Sequence, residues 1–199
     1  MNVVLVGYRG TGKSAVGAVL AQQLGLRVIS LDAELVRTAG KPIPEIVQQD
    51  GWPGFRDLEE QVVREAAARD GLVIDCGGGV IEREANFAVL RAAGPVFWLT
   101  ASTATIVCRI QGDDQRPSLT GQKSFTEEVA EVLRRRTPLY QRIAHHRVDT
   151  DSRTVEQVAA EIRQLLPAQN SRSPSNPGWG MGYRPSSSDT SGGGESMVH

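Results

Sequence analysis

Val3-Val4-Leu5-Val6 runs straight into Gly7-Tyr8-Arg9-Gly10-Thr11-Gly12-Lys13-Ser14, and Ala15-Val16-Gly17-Ala18-Val19-Leu20 follows without a break. A short apolar run, a glycine-rich octet and a helical pattern in that order read as strand, tight loop and helix N-terminus. The octet satisfies G-x-x-x-x-G-K-[ST] in full. Its glycines let the backbone turn so that N–H groups converge on phosphate oxygens, at a helix start whose dipole favours negative charge. Lys13 adds a full positive charge towards the β- and γ-phosphates, and Ser14 brings a hydroxyl suited to Mg²⁺. Gly10, Thr11, Gly12, Lys13, Ser14 and Ala15 are therefore the expected nucleotide-binding residues.

Beyond the octet, short β-branched runs alternate with helical patterns. Strands are expected at Val3–Val6, Arg27–Leu31, Leu72–Asp75, Val96–Leu99 and Arg147–Asp149, and helices at Lys13–Leu24, Leu58–Ala68, Arg83–Ala93, Thr103–Ile110, Glu127–Ile143 and Val155–Leu166. That repetition gives an α/β fold of three layers, a parallel sheet with helices on both faces and ligands outside the carboxyl ends of the strands. Two insertions interrupt it. Residues 33–57 hold two short helices around Gly40-Lys41-Pro42 and Gly51-Trp52-Pro53-Gly54, a candidate wall for a substrate. Residues 111–124 are polar, with two glycines and a proline, as a mobile lid would be.

Composition narrows the classes of function. With 22 Lys and Arg against 23 Asp and Glu there is no global basic field, so a nucleic-acid partner is not expected and anion binding must be local. Cys76 and Cys108 make no C-x-x-C pair and suit reduced thiols in apolar surroundings, with no zinc site. The N-terminus has no secretory pattern and no apolar run approaches a membrane span, so the expectation is a soluble, cytoplasmic protein. After Pro167 the character changes: residues 168–199 contain 8 Ser, 6 Gly and 3 Pro among 32, too little apolar surface to offset ordering entropy. The expected organisation is one domain over 1–167 and a disordered tail.

Each strand is followed by a charged or glycine-rich element. Asp32 follows the second, Cys76-Gly77-Gly78-Gly79 the third, Arg109 and Arg116 bracket the lid, and Arg136 lies in Arg136-Thr137-Pro138-Leu139-Tyr140. With Phe55-Arg56-Asp57-Leu58-Glu59-Glu60, this set resembles the shikimate kinase family, small members of the P-loop kinases, from about residue 2 to 166. The resemblance implies a five-stranded sheet of order 2-3-1-4-5 and transfer of a phosphoryl group from ATP, with Mg²⁺, to the 3-hydroxyl of shikimate in aromatic amino-acid biosynthesis, by a monomer with no membrane partner. Asp32 would bind the substrate hydroxyls and help activate the acceptor, Arg56 and Arg136 would hold the carboxylate, and Gly78 would present backbone to the ring. Arg116 would reach the ATP phosphates as the lid closes, acting in catalysis with Lys13 and Asp32, while Arg109 and Arg153 would lie beside the adenine.

Physical chemistry suits these roles: a carboxylate accepts two hydroxyl hydrogen bonds, and arginine grips a carboxylate in a planar fork. Other readings of the same residues stand beside them. Arg56 is placed for an ion pair with Glu59 or Glu60, Arg136 belongs to a basic run, Asp32 is a natural helix cap, and Gly77–Gly79 is a natural turn. A gluconate or nucleoside-monophosphate kinase, or a non-catalytic nucleotide-binding module, would share the phosphate loop. One departure stands out. The family carries two aspartates spaced D-x-D after the second strand, the first on the metal side; here the triplet is Ser30-Leu31-Asp32. Asp75, at the end of the third strand, is the candidate to take over the role that Ser30 cannot fill.

Overall fold

The computed structural model describes residues 1–110 and 125–167. The lid at 111–124, with Arg116, and the tail at 168–199 lie outside the described residues. The elements run β1 (Val3–Val6), α1 (Lys13–Leu24), β2 (Arg27–Ser30), α2 (Leu31–Ala39), α3 (Ile43–Ala67), β3 (Leu72–Asp75), a 3₁₀ turn (Val80–Glu82), α4 (Ala85–Ala93), β4 (Val96–Thr100), α5 (Thr103–Ile110), α6 (Phe125–Ile143), β5 (His146–Asp149) and α7 (Val155–Leu165). All strand pairs are parallel, and the order is β2-β3-β1-β4-β5.

Strand alternation builds the layers. Val4, Val6, Ile74 and Trp98 join one core with residues of α2, α3, α4 and α6. Val3, Leu5, Val73, Phe97 and Leu99 join the other with α1 and α7. Both faces are covered, so the inner strands β1, β3 and β4 are buried throughout and almost wholly apolar, while the edge strands β2 and β5 carry polar, exposed positions. Asn2 closes the sheet's starting edge: its amide donates to the Arg69 carbonyl and accepts from the Leu72 N–H.

The elements differ from the sequence reading where local chemistry outweighs periodicity. The second strand stops at Ser30 instead of Leu31 because the Ser30 hydroxyl accepts from Ala33 N at 3.3 Å and caps α2. Asp32 is thus in the first turn of that helix and is not its cap. Gly51, at φ 68° and ψ 176°, breaks α3 into two helices. The part from Ile43 to the break and α2 are the two short helices expected over 33–57, and the helix expected from Leu58 starts a few residues earlier, at Trp52-Pro53 just after the break. Pro53 is tolerated there because the first turn after a break has no N–H partner to lose. The helix expected from Arg83 starts two residues later, at Ala85, and a separate 3₁₀ turn at Val80–Glu82 precedes it. Smaller shifts extend β4 to Thr100, β5 to His146 and α6 to Phe125, and end α7 at Leu165.

Candidate active site

The phosphate loop leaves β1 and enters α1 through Gly12, whose φ of 87° is the left-handed conformation that glycine adopts without cost. The Tyr8 carbonyl anchors the loop, accepting from Thr11 Oγ1 at 2.8 Å and from Lys13 Nζ at 3.1 Å. Arg109, at the end of α5, ties it to the far side of the sheet: its guanidinium donates to the Gly10 carbonyl at 3.1 Å, Thr150 Oγ1 at 3.1 Å and the Thr150 carbonyl at 3.0 Å. Arg153 donates to the carbonyls of Asp149 and Gln157 and pairs with Glu161, so it holds the loop after β5. Arg109 meets the phosphate loop; no cavity described below includes Arg153 in its wall.

Two cavities meet at the carboxyl end of the sheet. The first lies along the loop and is walled by Gly10, Gly12, Lys13, Ser14, Ala15, Ser30, Asp32, Asp75 and Gly78, with Arg9 and Cys76. Thr11 is buried behind it. The second lies under α3 and gathers Asp32, Arg56, Gly77, Gly78, Gly79 and Arg136, with Arg9, Glu59 and the apolar side chains of Tyr8, Ile43, Val47, Trp52 and Phe55. Arg9, Asp32 and Gly78 belong to both walls. A group bound in the second cavity would therefore face the loop across Asp32.

The close approach of Gly77–Gly79 shapes the second cavity. A Cβ on Gly77 would lie 2.5 Å from Asp32 Oδ1, and one on Gly79 would lie 2.2 Å from an Arg56 guanidinium nitrogen. Only bare backbone lets both side chains occupy their places. Tyr140, buried in α6, donates to the Gly78 carbonyl at 2.5 Å and fixes the same segment from behind. Burial pushes the Tyr140 hydroxyl well above its ordinary range, so it remains a donor.

Two of the three arginines in this cavity's wall, Arg56 and Arg136, are held by acids. Arg56 donates to Glu59 at 2.6 Å with both side chains largely buried, and its guanidinium lies 5.0 Å from the Phe55 ring and 5.5 Å from that of Trp52. Arg136, 6% exposed, donates through Nε to Glu82 at 2.8 Å, and Arg135 meets the same Glu82 at 2.9 Å. The basic run is therefore split: Arg135 is on the surface and Arg136 faces inward. Burial raises the Glu59 carboxyl, against the opposing charge and hydrogen bond of Arg56. Burial works in the same direction on Glu82, but the hydrogen bond and charge of Arg136, with the charge of Arg135, outweigh it and hold that carboxyl below its ordinary value.

Strand alternation puts Asp75 on the α1 face with Val73, and its Oδ2 accepts from Ser14 Oγ at 2.5 Å. Cys76, on the opposite face, is buried; burial and then the Asp75 charge push its thiol up, away from the reactive thiolate. Cys108, for which the sequence suggested an apolar setting, is exposed on α5. His145 accepts from Val96 N through Nδ1 and His146 stacks on Phe97, both structural uses.

Sequence reasoning had no signal for Arg9, which occupies a variable place in the loop motif, or for Glu82, which lies fifty-four residues from Arg136. Glu59 was visible as an ion-pair partner of Arg56, but its burial was not. The aromatic pair Trp52 and Phe55, edge to face at 5.7 Å, could have been found from the i, i+3 spacing beside Arg56.

Comparison with known proteins agrees over most of the chain. The family profile described as shikimate kinase matches residues 9–167. A shikimate kinase of Rhodopirellula baltica is 41% identical over 171 residues, 84% of this chain and 91% of that protein. Shikimate kinase 2 of Sodalis glossinidius is 41% identical over 84% of this chain and 97% of its own. Among solved structures, shikimate kinase from Acinetobacter baumannii in complex with shikimate superposes with a TM-score of 0.78 at 34% identity, covering 82% of this chain and 91% of that one.

Proposed function

The chain belongs to the shikimate kinase family, and we infer that it transfers the γ-phosphoryl group of ATP to the 3-hydroxyl of shikimate, a step of aromatic amino-acid biosynthesis. The observation that carries this reading is the pair of joined cavities, one under the phosphate loop and one lined by Asp32, Arg56 and Arg136, with Asp32 in both walls.

Shikimate is a compact ring bearing one carboxylate and several hydroxyls. Arg56 and Arg136 supply the planar forks for the carboxylate, and the bare backbone of Gly78 allows the ring to lie close. Asp32 accepts from the acceptor hydroxyl and takes its proton as the oxygen becomes the nucleophile. Phosphoryl transfer asks the protein for little covalent chemistry, so most of the rate comes from holding donor and acceptor in line and neutralising charge. Lys13 and the loop N–H groups do so at the phosphates. Arg116 is assigned the same task from the lid, outside the described residues.

Among the described residues no group of three or more His, Cys, Asp or Glu is placed to cage a metal. Mg²⁺ does not need one, since one or two protein oxygens with substrate phosphates and water suffice, and the exposed Ser14 hydroxyl is a hard oxygen donor at the loop. When bound there, Mg²⁺ would draw charge from the phosphate oxygens. Two unpaired cysteines support a cytoplasmic setting. No described helix is long and apolar enough to cross a membrane.

ATP-coupled phosphorylation of a panel of acceptors tests the assignment. Shikimate should be turned over with a kcat/KM orders of magnitude above gluconate or nucleoside monophosphates; preference for either of the others would overturn it.

A further inference from the structure

Among the described residues, four cations line the two joined cavities, and they are divided unevenly. Lys13 lines the loop cavity alone, and Arg56 and Arg136 line the acceptor cavity alone. Arg9 lines both. The loop motif does not call for an arginine there: position 9 is one of its open places, and the phosphates are met by backbone N–H groups, Lys13 and Ser14. The neighbours of Arg9 tie it to the acceptor side. Tyr8, 2% exposed, has two guanidinium groups near its ring, those of Arg9 and Arg136, each 5.9 Å from the ring centre. An aromatic ring attracts a cation without neutralising it, so both arginines keep their charge for an anion. The Gly78 backbone approaches the same two residues, since a Cβ there would lie 3.5 Å from Arg9 N and 3.7 Å from Arg136 Nη1. An acceptor seated on Gly78 with its carboxylate on Arg136 therefore lies beside Arg9 as well.

Phosphoryl transfer carries negative charge across the boundary between the cavities. The bond from the acceptor oxygen to the γ-phosphorus forms as the bond from that phosphorus to the bridging oxygen breaks; ADP leaves with the electron pair, and Asp32 takes the hydroxyl proton. The group leaves the cavity lined by Lys13 and arrives as a phosphate ester in one whose other arginines are turned to the carboxylate. Asp32, the other charged residue common to both described walls, offers the phosphoryl oxygens no attraction. We propose that Arg9 is a further catalytic residue, the cation that meets the phosphoryl group in transit and then holds the phosphate of the product on the acceptor side. The acceptor cavity thus grips the phosphorylated acceptor through a group that the unphosphorylated one does not use. This inference rests on the kinase reading above.

The test is calorimetric titration of the full-length, nucleotide-free protein with shikimate and, separately, with shikimate 3-phosphate. The variant is Arg9→Met, which keeps an unbranched side chain and removes the charge. It should bind shikimate 3-phosphate about ten- to a hundredfold more weakly, the scale of hydrogen bonds to a charged group, with shikimate affinity at the wild-type value. ADP affinity should also stay at the wild-type value, because ADP lacks the phosphoryl group that Arg9 meets, and this control shows that the loop is folded. Turnover should fall at least about a hundredfold in kcat. Unchanged affinity for shikimate 3-phosphate, an equal loss for shikimate, an equal loss for ADP, or an unchanged kcat would each overturn the proposal. A wild-type protein that binds neither shikimate nor its phosphate would count against the kinase reading. A wild type that binds both, with no difference in Arg9→Met, would count against the role of Arg9 alone.

Discussion

Arg56 is held on three sides at once, by Glu59, by the Trp52 and Phe55 rings and by the bare backbone at Gly79. Cation–π contacts contribute about 0.5–2 kcal/mol and hydrogen bonds to charged groups about 1.5–3 kcal/mol, so the fork to a bound carboxylate outweighs the aromatic cage. Replacing Arg56 or Arg136 by Lys keeps the charge and loses the fork. Each variant should weaken shikimate about ten- to a hundredfold in equilibrium titration; retained affinity in both would return these residues to a purely structural role. Gly79→Ala reaches the same arginine from the other side, because the new methyl would displace the guanidinium. Its shikimate KM should rise about tenfold or more, on the scale of one lost ionic hydrogen bond, while ADP affinity stays at the wild-type value.

Between elements, Glu82 joins the 3₁₀ turn to α6 by accepting from Arg135 and Arg136. Its folded-state pKa lies below the ordinary 4.5. The tie therefore stabilises the fold above about pH 4.5 and is lost as pH falls through the lower, folded value. In thermal unfolding followed from neutral to acid pH, Glu82→Gln should show a smaller acid-side decline than the wild type; parallel curves would mean that the tie contributes nothing. This tie also marks where sequence reading stops. The strands, α1, the phosphate loop and the parallel alternation are local patterns, and they were legible. Partners fifty-four residues apart leave no local trace, and neither does the inward turn of Arg136 beside outward Arg135. The start of the second half of α3 was hidden because Gly51 and Pro53 look like helix breakers, while the fold uses them to restart a helix. Ser30 was legible as a departure from the family pattern, but its use as the α2 cap was not.

For the molecule as a whole, the order β2-β3-β1-β4-β5 puts the phosphate loop on the central strand and the acceptor cavity beside it, under α3. Arg116 lies outside the described residues, and on the proposed function it is the charge that the lid brings to the phosphates. Arg116→Ala should lower kcat about a thousandfold, the scale of an arginine that stabilises a transferring phosphoryl group, with shikimate affinity of the nucleotide-free enzyme unchanged. A matching loss of shikimate affinity would put Arg116 in the acceptor site instead. The central claim is that shikimate, seated on Arg56 and Arg136, offers one hydroxyl to ATP across Asp32. The most direct measurement is incubation with ATP, Mg²⁺ and shikimate, followed by phosphorus–proton correlation spectroscopy of the product. A single phosphorylated species with phosphorus coupled to the proton at C3 is the expected result; absence of any phosphorylated shikimate, or phosphate on another hydroxyl, would contradict it.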